Sequence, residues 1–337
     1  MLRNRRHLIS EAIASPIRDP TLPALSDPTA WRADVMAALA ELPMDSALGE
    51  MLALLATETI IPGLQESPGR AVLVGELVLN LTRAGRINQG LKGTCAAACV
   101  ESWLAEAMPD EYARLIAGLA AGDGQVLLRS GEILARNEQT LVWNTKEARR
   151  SPVSRLFQAA CMALAYVELD YCNIRDGHFN TAGEDAGYGL KLEAFDRLLE
   201  LITGQRWDML SDLHTKLLKM LGMVGSSLPT IQDDGADIIR RSLAEGQPLF
   251  VTLNLKGARW DGEVIESGVH ITHKVRLVAV TADRVIFDDP LDPEEPWFDH
   301  VDTVLINDDG RASMSMAALI ARTVELSYRP HFYVAEE

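Results

Sequence analysis

The chain has 337 residues, about two domain-equivalents at roughly 150 residues each, and its 47% hydrophobic share is that of a globular protein with a sizeable core, which excludes a disordered tail or a peptide. Against 32 Lys and Arg stand 48 Asp and Glu, a formal net charge of −16 with no local basic stripe to offset it, so nucleic acid is excluded as the expected partner. No segment approaches the roughly 18 apolar residues of a membrane span, and the basic opening residues Arg3, Arg5, Arg6 and His7 lead into no apolar signal core, so the chain is expected to be cytoplasmic, or exported without a Sec-type signal.

The first eighty-odd residues are helical in pattern. Asp27 and Pro28 supply a cap and a first-turn proline ahead of Trp31, Val35, Met36 and Leu39 at helical spacing. A second run, 51–61, ends at Pro62-Gly63. A third, from Arg70 through Val74, Leu77 and Val78 to Leu81, is Val-rich, but its length of over twelve residues favours helix over strand. Residues 1–85 are thus expected to form an N-terminal helical region, either a subdomain packed on the remainder or a pro-region. The polar stretch 86–94, with Gly90 and Gly93, breaks the periodicity and marks a loop. Cys95 then opens a helix in which Val100, Trp103, Leu104 and Ala107 fall on one buried stripe, Thr94 stands ready to cap the first turn, and the end lies near Pro109.

Tyr112 to Leu119 reads as a helix, and 125–129 with 132–134 around Ser130-Gly131 as a small hairpin. Residues 153–169, 190–203 and 207–222 read as three further helices, with a loop over 173–189. A last helix, Asp234 to Ala244, ends at Gly246. The chain then changes to short alternating or β-rich runs at 249–253, 275–280, 284–287, 303–306 and 324–334. A helix-rich half followed by an antiparallel-sheet half is an α+β plan.

The chemistry-bearing residues are few. Four cysteines in so long a chain are too few for a disulfide framework, so a reducing compartment fits best. Cys99 and Cys161 lie in apolar helical runs and read as core. Cys172 and His178 with Cys95 and Cys99 show no C-x-x-C pair, and no metal or other cofactor is expected. Cys95 differs, because the first turn of a helix favours a thiolate over a thiol. Gln89, six residues earlier, could return its amide to face that cysteine and, with the Cys95 N–H, donate to an oxyanion, while Gly90 and Gly93 let backbone approach a substrate. A partner base is available at the strand that begins with His273; His270, three residues earlier, is its competitor. The next strand runs into Asp288-Asp289-Pro290, and in a hairpin that end lies beside His273, so Asp289 can orient the ring; alternation puts Asp288 on the opposite face, so only one of the two can serve.

Gln89-x5-Cys95 at a helix start, then a distant histidine opening a strand, then Asp289 sixteen residues on and followed by Pro290, resembles the papain-like cysteine peptidases. The Asp-Pro ending, and the helix 237–246 passing through Gly246 into the strand ahead of the histidine, are most similar to the C39-like branch. The resemblance implies a papain-like fold over 86–337, with an insertion within 110–230, since Cys95 and His273 stand 178 residues apart. It also implies roles: Cys95 as nucleophile, His273 as base, Asp289 as orienter and Gln89 as oxyanion donor, acting on a polypeptide substrate. Ala96, where papain has Trp, and Pro290-Leu291, in place of Ser-Trp, are departures. Deamidases and transglutaminase-type acyl transferases use the same site. A catalytically silent binding domain, or a helical adaptor with an unrelated β-region, are the readings of other classes.

Overall fold

A computed structural model describes residues 2–17, 26–44, 46–142, 147, 149–166, 171–176, 189–190, 192–211, 230–254, 259–260, 263–264, 272–282, 284–291, 305–306 and 311–329. The chain divides into two compact units, 1–190 and 191–337. The boundary expected after residue 85 lies inside the first unit. Together the helices and antiparallel sheets make an α+β protein.

The first unit is built from α1 (Leu2–Ala14), α2 (Pro28–Glu41), α3 (Ala47–Thr57), α4 (Pro62–Glu66), α5 (Arg70–Thr82), α6 (Cys95–Ala107), α7 (Pro109–Ala120) and α8 (Pro152–Ala165), with a hairpin of β1 (Gln125–Leu127) and β2 (Ile133–Ala135) between α7 and α8. The expected cap of α2 is present: Asp27 Oδ1 accepts from the N–H groups of Thr29 and Ala30, both at 3.0 Å. Trp31, Val35 and Leu39 are buried, but Met36 is 42% exposed, because it sits on the flank of the stripe. Pro62 opens α4 rather than closing α3; a proline lacks only an N–H that a first turn leaves without an intrahelical acceptor anyway.

At the centre stands α5, apolar on nearly every side and buried from Ala71 to Leu81, with α1, α2, α6 and α8 packed around it. Its helical reading from length rather than composition holds. The hairpin also forms as expected, pairing Gln125 with Ala135 and Leu127 with Ile133, and Gly131 takes φ +91° in its turn.

The second unit holds α9 (Leu192–Thr203), β3 (Asp208–Leu210), α10 (Ile231–Ala244), β4 (Leu249–Asn254), β5 (Arg259–Trp260), β6 (Glu263–Val264), β7 (Thr272–Val280), β8 (Arg284–Asp288), β9 (Leu305–Ile306), β10 (Ala312–Ser315), α11 (Met316–Arg322) and β11 (Thr323–Tyr328). Strands β5 and β6 pair with each other; the others form an antiparallel sheet in the order β3-β11-β4-β7-β8-β10-β9. One face carries Val251, Leu253, Val275, Leu277, Val285, Phe287 and Leu326, covered by Ile239 of α10 and Leu319 of α11. On the other, Lys274, Thr252 and Glu325 are cross-strand neighbours. There Lys274 Nζ lies 3.3 Å from Glu325 and 3.8 Å above the Phe195 ring, and Thr252 Oγ1 donates to Glu325 at 2.9 Å.

The helix expected over 207–222 is corrected in its first residues: 208–210 form an edge strand on β11, whose ladder satisfies their backbone groups. Residues 212–222 lie outside the described residues, as does most of the expected loop 173–189. The β10–α11 segment was not read from the sequence. Its strand is short and its helix is a seven-residue turn capped by Ser315, whose Oγ accepts from Ala318 N at 3.2 Å. Among the described residues no helix is long and apolar enough to cross a membrane.

A Cβ at Gly75 would lie 2.4 Å from Trp31 Cζ2. Gly→Ala inside a helix ordinarily stabilises by about 1 kcal/mol. Gly75→Ala should instead lower the urea-unfolding free energy by about 1–3 kcal/mol, because the indole must move out of a close-packed core.

Candidate active site

The segment from Asn88 to Cys95 is held by side chains from elsewhere in the first unit. Gly90 has φ +62°, and a Cβ there would stand 2.3 Å from the Glu147 carbonyl oxygen, so both conformation and space require glycine. Its N–H donates to Asn88 Oδ1 at 2.5 Å. Gln89 is fully buried, and its Nε2 donates to the Lys92 carbonyl at 2.7 Å, which fixes the amide inside the loop that leads to Cys95. Lys92, also fully buried, donates from Nζ to the carbonyls of Asn173 (2.5 Å) and Asp176 (3.1 Å), with Glu147 at 4.0 Å. The Gly93 N–H donates to both carboxylate oxygens of Asp176, at 3.1 and 3.2 Å, and Tyr171 OH donates to the second at 2.8 Å. Burial alone would raise Glu147, but the charges of Arg150 and Lys92 bring its carboxyl below the ordinary value.

Cys95 is the first residue of α6 and is 8% exposed. The expected Thr94 side-chain cap is absent, since Thr94 Oγ1 donates instead to Gln158 Oε1 at 2.7 Å. The single apolar stripe expected of this helix is also corrected. Residues 95–105 are buried on all sides and Ala107 is exposed, because α5, α7 and α8 all pack on α6. Cys99 and Cys161 are buried, as expected.

Beneath the loop sits Glu101, wholly buried on the same helix. Its carboxylate accepts from Tyr112 OH of α7 (2.5 Å), from Ser154 Oγ (2.8 Å) and Gln158 Nε2 (2.8 Å) of α8, and from Asn80 Nδ2 of α5 (3.4 Å). Burial pushes its pKa up to about 7 against the pull of those donors and of the Arg150 charge. None of Lys92, Glu101, Asp176 or Gln158 was singled out in the sequence. The available signal was a glutamate in the largely apolar run Ala96–Leu104 and a lysine between loop residues in the company of two glycines.

In the second unit, alternation along β7 puts His273 on the apolar face with Val275 and Leu277, and Lys274 and Arg276 on the other. His273 is fully buried, and its Nε2 lies 2.8 Å from Asp289 Oδ1. That same oxygen accepts from Leu291 N at 3.0 Å, a turn that fixes the carboxylate just beyond β8. Asp288 is turned away: it accepts from Arg276 Nε at 2.7 Å and Arg311 Nε at 2.9 Å. The structure thus brings His273 and Asp289 together, and it holds Gln89 and Cys95 in one loop–helix segment; the former pair belongs to the second unit and the latter to the first. His270 and His178 lie outside the described residues. Among those residues, no group of His, Cys, Asp and Glu is arranged to hold a metal ion.

No protein-family model matches the sequence, and no curated protein matches it. Among solved structures, one from Bacillus anthracis, described provisionally as a C39-like peptidase, aligns with a TM-score of 0.24 and 16% identity, over 51% of this chain and 86% of that one. The functional reading therefore rests on this chain's own residues.

A carboxyl whose pKa is about 4.5 unfolded and about 7 folded binds more protons in the native state. Its contribution is most favourable below the unfolded pKa and is lost as pH rises through the folded one. Relative to Glu101→Gln, the wild type should lose about 2–3 kcal/mol of unfolding free energy between pH 5 and pH 8. Paired urea titrations at the two pH values check this.

Proposed function

We propose that this protein is a papain-like thiol hydrolase acting on amide bonds, most simply a cysteine peptidase with a polypeptide substrate. The observation that carries the reading is the His273–Asp289 hydrogen bond, a buried imidazole fixed by a carboxylate that is itself fixed by its own turn. It is supported by Cys95 at a helix start, where first-turn N–H groups and the helix dipole favour negative charge, and by Gln89 in the loop that leads into it.

With Nε2 bound to Asp289, Nδ1 is the nitrogen that takes the Cys95 proton. Sγ attacks the carbonyl carbon, and the Gln89 amide and Cys95 N–H donate to the oxygen as it gains charge. The proton on Nδ1 then passes to the leaving amine as the C–N bond breaks, leaving a thioester on Cys95. Water attacks the thioester and gives its proton to His273; collapse of the second tetrahedral adduct frees the acid and returns the thiol. Asp289 orients the ring and stabilises the imidazolium without taking the proton. Release to an amine instead of water would make the same site a transferase, and a glutamine side chain as substrate would make it a deamidase. The acidic chain favours neutral or basic polypeptides.

Iodoacetamide labelling followed by mass spectrometry tests the reading. Cys161 is the internal reference, its thiol pushed well up by burial and the nearby Glu101. Burial would also raise Cys172, but hydrogen bonds from Arg175 and Gln139 bring it below the ordinary thiol value, so the comparison is made in a Cys172→Ser background. Cys95 should label at least tenfold faster than Cys161 at pH 7. His273→Ala should remove that advantage, Asp289→Ala should reduce it, and Cys95→Ala should abolish amide hydrolysis. A Cys95 that reacts no faster than Cys161, unaffected by His273→Ala, would make the silent binding domain the better account.

A further inference from the structure

We propose that Gln158 is a positioning residue for this chemistry, its one side-chain amide holding both ends of the loop that carries Gln89 to Cys95. The inference rests on the reading of Cys95 and Gln89 as reacting groups. Gln158 is fully buried in the middle of α8, far in sequence from the loop it serves. Its Oε1 accepts from Thr94 Oγ1 at 2.7 Å, and its Nε2 donates to the Asn88 carbonyl at 3.1 Å and to Glu101 Oε2 at 2.8 Å. Both amide hydrogens and the carbonyl are therefore used. The two anchors are chosen tellingly: Asn88 immediately precedes Gln89, and Thr94 immediately precedes Cys95.

Glu101 gives this brace its direction. A side-chain amide can be turned by half a rotation with almost no change in shape. Here the turned form would aim a carbonyl oxygen at the Glu101 carboxylate and at the Asn88 carbonyl, and would face an N–H with the Thr94 hydroxyl. Glu101 is held in turn by Tyr112 from α7 and by Ser154 from α8. The loop's middle is fixed separately, through Gly93 on Asp176 and Lys92 on the carbonyls of Asn173 and Asp176. Loss of Gln158 would therefore free the ends of the loop before its middle, and those ends are where the two reacting groups are attached.

Gln158→Met keeps volume and removes every one of the three hydrogen bonds. In the folded variant, hydrogen exchange across 87–94 should rise at least tenfold while α5 exchanges as in the wild type, and the rate of Cys95 alkylation relative to Cys161 should change by a similar factor. Gln158→Glu supplies the conservative rescue. A buried carboxylic acid that keeps its proton can restore one donor, so at pH 5 it should regain part of the loop protection that it lacks at pH 8, whereas Gln158→Met should regain none. Should Gln158→Met fail to fold, Thr94→Val removes one arm only and carries the same comparison. Loop exchange unchanged in a folded variant, or raised equally in α5, would overturn the proposal. Wild-type Cys95 labelling no faster than Cys161 would sink the thiol-hydrolase reading instead, and the exchange result would still decide whether Gln158 braces the loop.

Discussion

Polar groups taken out of water must be paired, and the first unit is organised around that requirement. Four helices meet at Glu101: α6 supplies the carboxylate, and α5, α7 and α8 each supply at least one donor to it. A hydrophobic contact among these helices would tolerate small rotations of one against another. A carboxylate with converging donors does not, since each donor is directional and leaving one unmade costs more than the bond gains. The orientation of α6, and so the direction in which Cys95 leaves it, follows from this cluster as much as from the apolar packing around it.

The second unit solves a related problem with a sheet. Its two faces differ in kind, one apolar and closed by α10 and α11, the other lined by Lys274, Thr252, Glu325 and Ser327 in mutual hydrogen bonds. Because side chains alternate, adjacent residues on β7 and at the end of β8 belong to different worlds. Asp288 goes with the arginines and Asp289 with the histidine. A register slip of one residue would exchange them and put Lys274 in the apolar core, so the burial pattern itself holds the His–Asp pair in register.

Much of this was legible in the residues. The cap of α2, the length of α5, the hairpin at Gly131 and the adjacency of His273 and Asp289 all follow from local rules, because each depends on neighbours in sequence or on a single strand pairing. The misreadings share a cause. Thr94 looked like a cap because local geometry allows it, and a glutamine 64 residues away took the hydroxyl instead. Residues 208–210 looked helical until pairing with β11, more than a hundred residues on, claimed their backbone. Asp176 and Gln158 carry no local signature of burial, and Lys92 and Glu101 only a faint one; only the tertiary fold gives a lysine or glutamate partners good enough to enter a core.

Strand β11, the last described element, lies inside the sheet, between β3 and β4, and not at its margin. A chain emerging from the ribosome can assemble its first unit once about 190 residues are out, since residues 1–190 form a compact unit of their own. The second unit has no such freedom. Until residues 323–328 arrive, β4 lacks one of its two neighbours and β3 has none, so the histidine-bearing sheet is completed only then. Premature termination after β7 but before that point leaves a helical unit attached to a half-built sheet with open edges, the kind of species that quality-control proteases and chaperones recognise.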